Sequence, residues 1–356
     1  MRRRIEWDTF FRAALIAILV IGMSAGTALA ADDQPAAGLI KVAAMGDIMM
    51  GTENLLPADG GKGLFLQVKP FLKGADVIFG NIEGCMTDRG GPTKSGEAGR
   101  TYCFRTPPSY VTYLVDAGFN MVSIANNHIN DYGDEGKQQT IDTLKANKIG
   151  YSGPPGTFAT ITAQGLKIAM VAFYTSPHSN HLNDYDGAKR LVAGLKKNHD
   201  IVIVSFHGGA EGAKALHLPK GPETFYGEDR GDVMKFGRGV VDAGADLAIG
   251  HGPHVPRAME IYKGHLIAYS LGNFCTGKGI SVKGDNGLAP LLLVDLARDG
   301  KIAGGQIVSF TQDFGQHPKL DKKHRAAKLI YKLGAEDLPK TNAVDANGRI
   351  VVPSGS

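Results

Sequence analysis

The chain has 356 residues, of which 43% are apolar and 21% charged, so it is neither disordered nor fibrous. Its net charge is +4, and its basic residues are scattered except near 319–325, which excludes the basic stripe of a nucleic-acid binder. The 48 glycines follow no collagen period and read as tight turns between strands and helices.

Residues 1–30 read as an address. Arg2, Arg3 and Arg4 form a positive head, 13–23 an apolar core, and Ala28-Leu29-Ala30 a small-x-small cleavage signature. They predict a signal peptide cut after Ala30 and a secreted or periplasmic protein. Left uncleaved, 13–31 is almost long enough to anchor the chain in a membrane. Residues 31–38 read as a polar linker. No later stretch reaches about 18 unbroken apolar residues. In an oxidising compartment Cys85 and Cys103 are spaced to bridge the polar loop between them, with Cys275 left over.

Strands and helices then alternate. Leu39–Met45, Asp76–Phe79, Asn120–Ala125, Asp200–Phe206 and Leu247–Ile249 are short apolar runs of the kind that form buried strands. Between them, Gly63–Leu72, a Pro107-Pro108 start, Gly136–Asn147, Ala188–Lys197 and Asp232–Ala243 read as helices. Thr160–Thr162 and Leu166–Phe173 read as a hairpin. Ala289–Leu296 and Lys301–Phe310 read as antiparallel closing strands. Lys322–Leu333 reads as a terminal helix, followed by about 18 loosely held residues. The pattern predicts an α/β fold with mixed sheets, one domain over 39–315, and a helix and tail over 316–356.

One event recurs along the chain. An apolar run ends, and ligand-type residues follow at once: Asp47, then Asn81 and Glu83, then Asn127-His128, then His207, then His251 and His254. Polar residues end many strands, but this ordered set supplies carboxylate, amide oxygen and imidazole. That mixture suits Mn, Fe or Zn, and Mg less well. Two close divalent ions can clamp a phosphate and activate a water.

These motifs carry a resemblance. Met45-Gly46-Asp47, Gly80-Asn81-Ile82-Glu83-Gly84, Ala125-Asn126-Asn127-His128 with Asp131-Tyr132-Gly133, Phe206-His207-Gly208-Gly209-Ala210-Glu211, Gly250-His251-Gly252-Pro253-His254-Val255 and Tyr269-Ser270-Leu271-Gly272-Asn273-Phe274 resemble the CapA family of capsule or poly-γ-glutamate synthesis proteins. That family is itself similar to calcineurin-like metallophosphoesterases. The resemblance implies a four-layer αββα sandwich around a two-metal site. It implies Asp47, Glu83, Asn127, His207, His251 and His254 as metal ligands and His128 as the group that protonates the leaving atom. Met49 stands where metallophosphoesterases carry a ligand histidine, and Asn81 or Glu83 where they carry a bridging aspartate. Glu211 and His217 are candidate replacements.

Arg105, Arg230 and Arg257 are candidate anion binders, since guanidinium matches carboxylate or phosphate bidentately. Tyr269, Ser270 and Asn273 read as supports beneath the site. Two functions fit. One is a secreted metal-dependent hydrolase or transferase acting on an anionic polymer or a phosphorylated precursor. The other is a non-catalytic capsule assembly or export factor with membrane partners.

Overall fold

The computed structural model describes residues 38–94, 102–276 and 278–352. The predicted signal segment lies outside them. Among the described residues no helix is long and apolar enough to cross a membrane.

Two mixed sheets form the middle of the molecule, one of eight strands and one of seven. In the first, Ile40–Ile48 is central. It runs parallel to Val77–Ile82, and Met121–Ser123 and Gly150–Ser152 follow in parallel order. On its other side Leu288–Leu296 and Ile302–Thr311 pair antiparallel, as the closing strands were expected to. In the second sheet, Leu166–Tyr174, Ile201–His207, Leu247–His251 and His265–Ala268 are parallel neighbours. Antiparallel edge strands Ala159–Ala163 and Met259–Tyr262 flank them.

Alternation along each strand sorts the layers. Val42, Ala44, Val77 and Phe79 meet Ile168, Met170, Ile203 and Ile249 in a core between the two sheets. Ala43, Met45, Ile78 and Val122 point outward, under the helices Val111–Ala117 and Gly133–Ala146. On the opposite outer face, Val171, Val202, Val204 and Ala248 pack beneath Tyr185–Lys196 and Val233–Asp242. A strand buried on both faces must be apolar at nearly every position, hence the unbroken runs in the sequence. The expected αββα sandwich is present. Asp184 and Asp232 cap Tyr185–Lys196 and Val233–Asp242, accepting from the backbone N–H groups of Gly187 and Lys235. Each cap is worth about 1 kcal/mol.

Several expectations need correction. Within Gly63–Leu72 only Lys69–Leu72 is helical; the preceding residues form turns. The terminal helix runs Arg325–Asp337. The described residues after it, up to 352, are not loosely held, because Ala343, Val344 and Ile350 are buried in the core between the sheets. Glu223–Phe225 and Glu228–Gly231 form an antiparallel hairpin in what the sequence shows only as a polar loop. The cysteines form no disulfide. Buried Cys85 donates its thiol to the Ile129 carbonyl at 2.9 Å, whereas Cys103 Sγ lies 3.9 Å from the Lys94 carbonyl. The two thiols face different partners.

Candidate metal centre

The carboxyl ends of the parallel strands of both sheets meet at one edge, and the register aligns the motif residues. Asp47 sits opposite Asn81 on one side and Asn273 on the other. His207 sits opposite His251. A bulge between Ala44 and Asp47 re-aims the end of that strand. Gly46 permits the close approach of the chain that leads into Asn273: a Cβ there would collide with the Gly272 carbonyl. Asp47 N–H donates to that same carbonyl at 2.8 Å.

Asp47 is fully buried and lies at the middle of the cluster. Its Oδ1 accepts from Asn81 Nδ2 at 2.9 Å and stands 3.4 Å from His251 Nδ1 and 4.0 Å from His207 Nδ1. Its Oδ2 accepts from Gly252 N–H at 3.2 Å and stands 3.1 Å from His254 Nδ1. Glu83 Oε2 accepts from Asn81 Nδ2 at 2.7 Å and lies 3.6 Å from His207 Nδ1. Asn81 therefore spaces the two carboxylates. Its own carbonyl is held by Asn126 Nδ2 at 3.1 Å, which sets the amide's orientation.

Both ring nitrogens of His207 and of His251, with Glu83 Oε1 and Asn127 Oδ1, are buried without hydrogen-bond partners. Such atoms are uncommon in folded proteins, and each costs about 1–3 kcal/mol. Here they come from four strand ends or their following loops that converge on one edge. Ligand atoms of Asp47, Glu83 and His207 all lie within 4.8 Å of one another. Unpartnered imidazole and carboxylate atoms in one buried cluster fit divalent cations of the Mn, Fe or Zn type.

Electrostatics follow from burial and from these neighbours. Burial works to raise Asp47, but the imidazoles of His251 and His254 outweigh it and hold the carboxyl well below its usual range. Burial, then the charge of Asp47, pushes Glu83 up to about 8. His254 is raised to about 9, because its hydrogen bond to Asp47 and the surrounding carboxylates overcome burial. Burial drives His207 well below the ordinary imidazole value.

His128 occupies the rim. Its Nδ1 is 2.7 Å from Asp131 Oδ2, and its Nε2 faces Glu83 Oε1 at 4.0 Å. Burial lowers its proton affinity despite Asp131. Lys94 Nζ ties this corner together, donating to the Asn127 carbonyl at 2.9 Å and pairing with Asp131 Oδ1 at 2.6 Å. Asn126 and Asp131 stand in the motif that carries the resemblance but had no role assigned from the sequence. Nothing local marks Lys94.

His254 adopts a left-handed backbone, φ +58°, directly after Pro253. Asn273, expected to support the loop, donates to the His254 carbonyl at 3.2 Å and sets its Oδ1 3.0 Å from Nδ1. Ser270 Oγ donates to the Val255 carbonyl at 2.7 Å. Met49 is buried against Phe104 and Ile280.

The remaining candidates divide. Glu211 reaches the centre: its Oε2 is 3.9 Å from His254 Nε2, and its Oε1 accepts from Arg230 Nη1 at 2.8 Å. His217 does not; it is exposed and pairs with Asp337 at 2.8 Å, so it supplies no replacement ligand. Arg257 is not an anion binder either. It is fully buried and spends its donors on Glu223 at 2.7 and 2.8 Å and on the Ala215 carbonyl at 2.6 Å. Arg105 lies outside the centre, 3.2 Å from Glu53 and stacked over Tyr132.

Two clefts open beside the cluster. One, of about 280 Å³, is walled by Tyr102, Phe104, Phe225 and Ile280 and reaches His128, Glu211 and His254. The other, of about 620 Å³, is polar and lined by Lys94, Asn127, Tyr174, His178, His181 and Glu228.

A two-sheet sandwich whose strand ends gather carboxylates and imidazoles defines the class, an α/β sandwich with a candidate metal centre at one sheet edge. The sequence profile of the bacterial capsule synthesis protein PGA_cap matches residues 41–278, and the chain belongs to that family. It is 30% identical over 264 residues to the PGA biosynthesis protein CapA of Bacillus subtilis, covering 68% of this chain and 65% of the relative. It is 27% identical over 266 residues to the capsule biosynthesis protein CapA of Bacillus anthracis, covering 70% and 63% respectively. The chain thus spans slightly less than two thirds of these relatives. Among solved structures, the 5'-nucleotidase precursor of Thermus thermophilus aligns with a TM-score of 0.44 at 10% identity, covering 84% of this chain and 59% of that one. The NAD nucleotidase of Haemophilus influenzae aligns with a TM-score of 0.42 at 11% identity, covering 84% and 60%.

Proposed function

We propose that this protein is an exported metal-dependent hydrolase or transferase of capsule biosynthesis, acting on an anionic polymer of poly-γ-glutamate type or on a phosphorylated precursor. The observation that carries the reading is the convergence of unpartnered buried imidazole, carboxylate and amide atoms at one sheet edge. A pure scaffold gains nothing from leaving them unsatisfied. Asp47, Glu83, Asn127, His207, His251 and His254 would hold divalent ions, and Glu211 stands near enough to join them.

Bound there, such ions would polarise the scissile group and make water a competent nucleophile near neutral pH. The chain's own residues do the rest. Asp131 fixes the His128 ring through Nδ1 and leaves Nε2 turned to the centre. That geometry suits a proton passed to the departing oxygen or nitrogen, a step worth about 10²–10⁴ in rate. The aromatic cleft would exclude water from one side of the reacting group. Export rests on Arg2–Arg4, the apolar 13–23 stretch and the Ala28-Leu29-Ala30 signature.

One observation favours the second reading, a non-catalytic assembly or export factor with membrane partners. Met49 cannot serve as the nitrogen ligand that its position carries in metallophosphoesterases, so one metal position is weakened. Elemental analysis of purified wild type and His251→Ala separates the two. Mn, Fe or Zn near two per chain, lost in the variant, supports the enzyme and leads to a screen of phosphoester and γ-glutamyl substrates. Wild type that stays metal-free after reconstitution sinks the catalytic reading and leaves the assembly role.

A further inference from the structure

The hairpin Glu223–Phe225 with Glu228–Gly231 carries a buried arginine whose hydrogen bonding is incomplete. Arg230 is 1% exposed. Its Nη1 donates to Glu211 Oε1 at 2.8 Å, and Glu228 Oε2 stands 3.8 Å from the same nitrogen. Its Nε and Nη2 are buried and donate to nothing. Arg257 makes the comparison. It is equally buried, yet Nε, Nη1 and Nη2 all have partners.

The unused Nε and Nη2 lie along one side of the guanidinium. That edge presents two parallel N–H bonds, the geometry that grips two oxygens of one carboxylate or phosphate. Its surroundings are those of the metal centre. Glu211, its partner, approaches His254 at 3.9 Å. The charge of Arg230 also depresses the proton affinity of His207 and of Tyr174. Glu211 lines the aromatic cleft, while Glu228 and Tyr174 line the polar one.

Resting on the metal-centre reading above, we propose that the Nε/Nη2 edge of Arg230 binds a two-oxygen anionic group of the substrate, a phosphoryl or a carboxylate, at the centre. Glu211 holds the guanidinium in place from Nη1, so the open edge is presented without further ordering.

The test uses the full chain loaded with Mn, titrated calorimetrically with inorganic phosphate and separately with glutarate. Arg230→Lys keeps the charge and a donor for Glu211 but loses the fork. Arg230→Gln is the second variant, should the first fail to fold. At least ten-fold weaker binding of one anion in a folded variant, with Mn content unchanged, supports the proposal. Phosphate as the affected anion identifies a phosphoryl substrate; glutarate identifies a carboxylate. Equal affinity in wild type and variants overturns it, as does wild type that binds neither anion. Loss of Mn in Arg230→Lys also overturns it, because Arg230 would then be a support for the metal ligands. Failure of wild type to hold Mn removes the metal reading and this inference together. Full Mn with unchanged anion binding removes this inference alone.

Discussion

Glu83 and His254 are two residues of the centre that burial and their neighbours keep protonated above neutral pH in the metal-free protein. Glu83 titrates at about 8 and His254 at about 9. Near pH 7 both therefore carry a proton, and both must lose it to bind a cation. The sign follows directly. Metal affinity rises as pH climbs through 8 toward 9 and falls below that window. Calorimetric titration with Mn at pH 7, in buffers of different ionisation enthalpy, is expected to show net proton release. A heat that does not change with buffer would contradict this. A second residue-scale expectation concerns Asn127. Its unpartnered Oδ1 makes Asn127→Ala lose bound metal with the fold retained, read by elemental analysis and circular dichroism.

Elements bring these residues together, and each join can be tested. The loop after the His207 strand is tied down by Arg257, buried bidentate on Glu223. Arg257→Ala would leave Glu223 buried without its partner, a loss of about 3–5 kcal/mol. Urea unfolding should find the double variant Arg257→Met with Glu223→Leu less destabilised than the single one. An unaltered midpoint for Arg257→Ala would show that this pair does not hold the loop. Cys85 belongs to the same scale. It lies in the short strand Cys85–Met86, paired with Arg105–Thr106, with its thiol on the Ile129 carbonyl. Thiol titration of the denatured protein without reductant should count three free cysteines. A count of one would restore the Cys85–Cys103 bridge.

At the scale of the whole molecule, the last described residues close the sandwich. Ile261 N–H donates to Thr341 and Ala343 N–H to Met259 at the edge of the second sheet. Ile307 N–H donates to Gly348 and Ile350 N–H to Gly305 at the first. The segment thus straps both sheets, and Val344 and Ile350 bury their side chains between them. Each such side chain contributes about 1.5–3 kcal/mol. Truncation after Leu338 should lower the melting temperature by several degrees in differential scanning calorimetry. An unchanged transition would mean that the strap is dispensable.

What could be read from the chain alone was whatever depends on neighbours in sequence. Unbroken apolar runs marked the two-sided strands, because a strand covered on both faces tolerates little else. The residue just past each run marked the site, because carboxyl ends of parallel strands share one edge. Asp47, Glu83, His128, His207, His251 and His254 were all marked as candidates this way, and the structure brings them to one edge.

Tertiary structure decided whatever depends on a distant partner. His217 left the site for Asp337, 120 residues away. Arg257 and Arg230, alike in sequence, separated into a satisfied arginine and one with an open edge because only the first meets Glu223. The tail read as polar and loose until it was laid across two sheet edges. Local pattern is set by the backbone's own periodicity. The partner of a buried charge is set by which strands the fold makes neighbours, and no local signal carries that information.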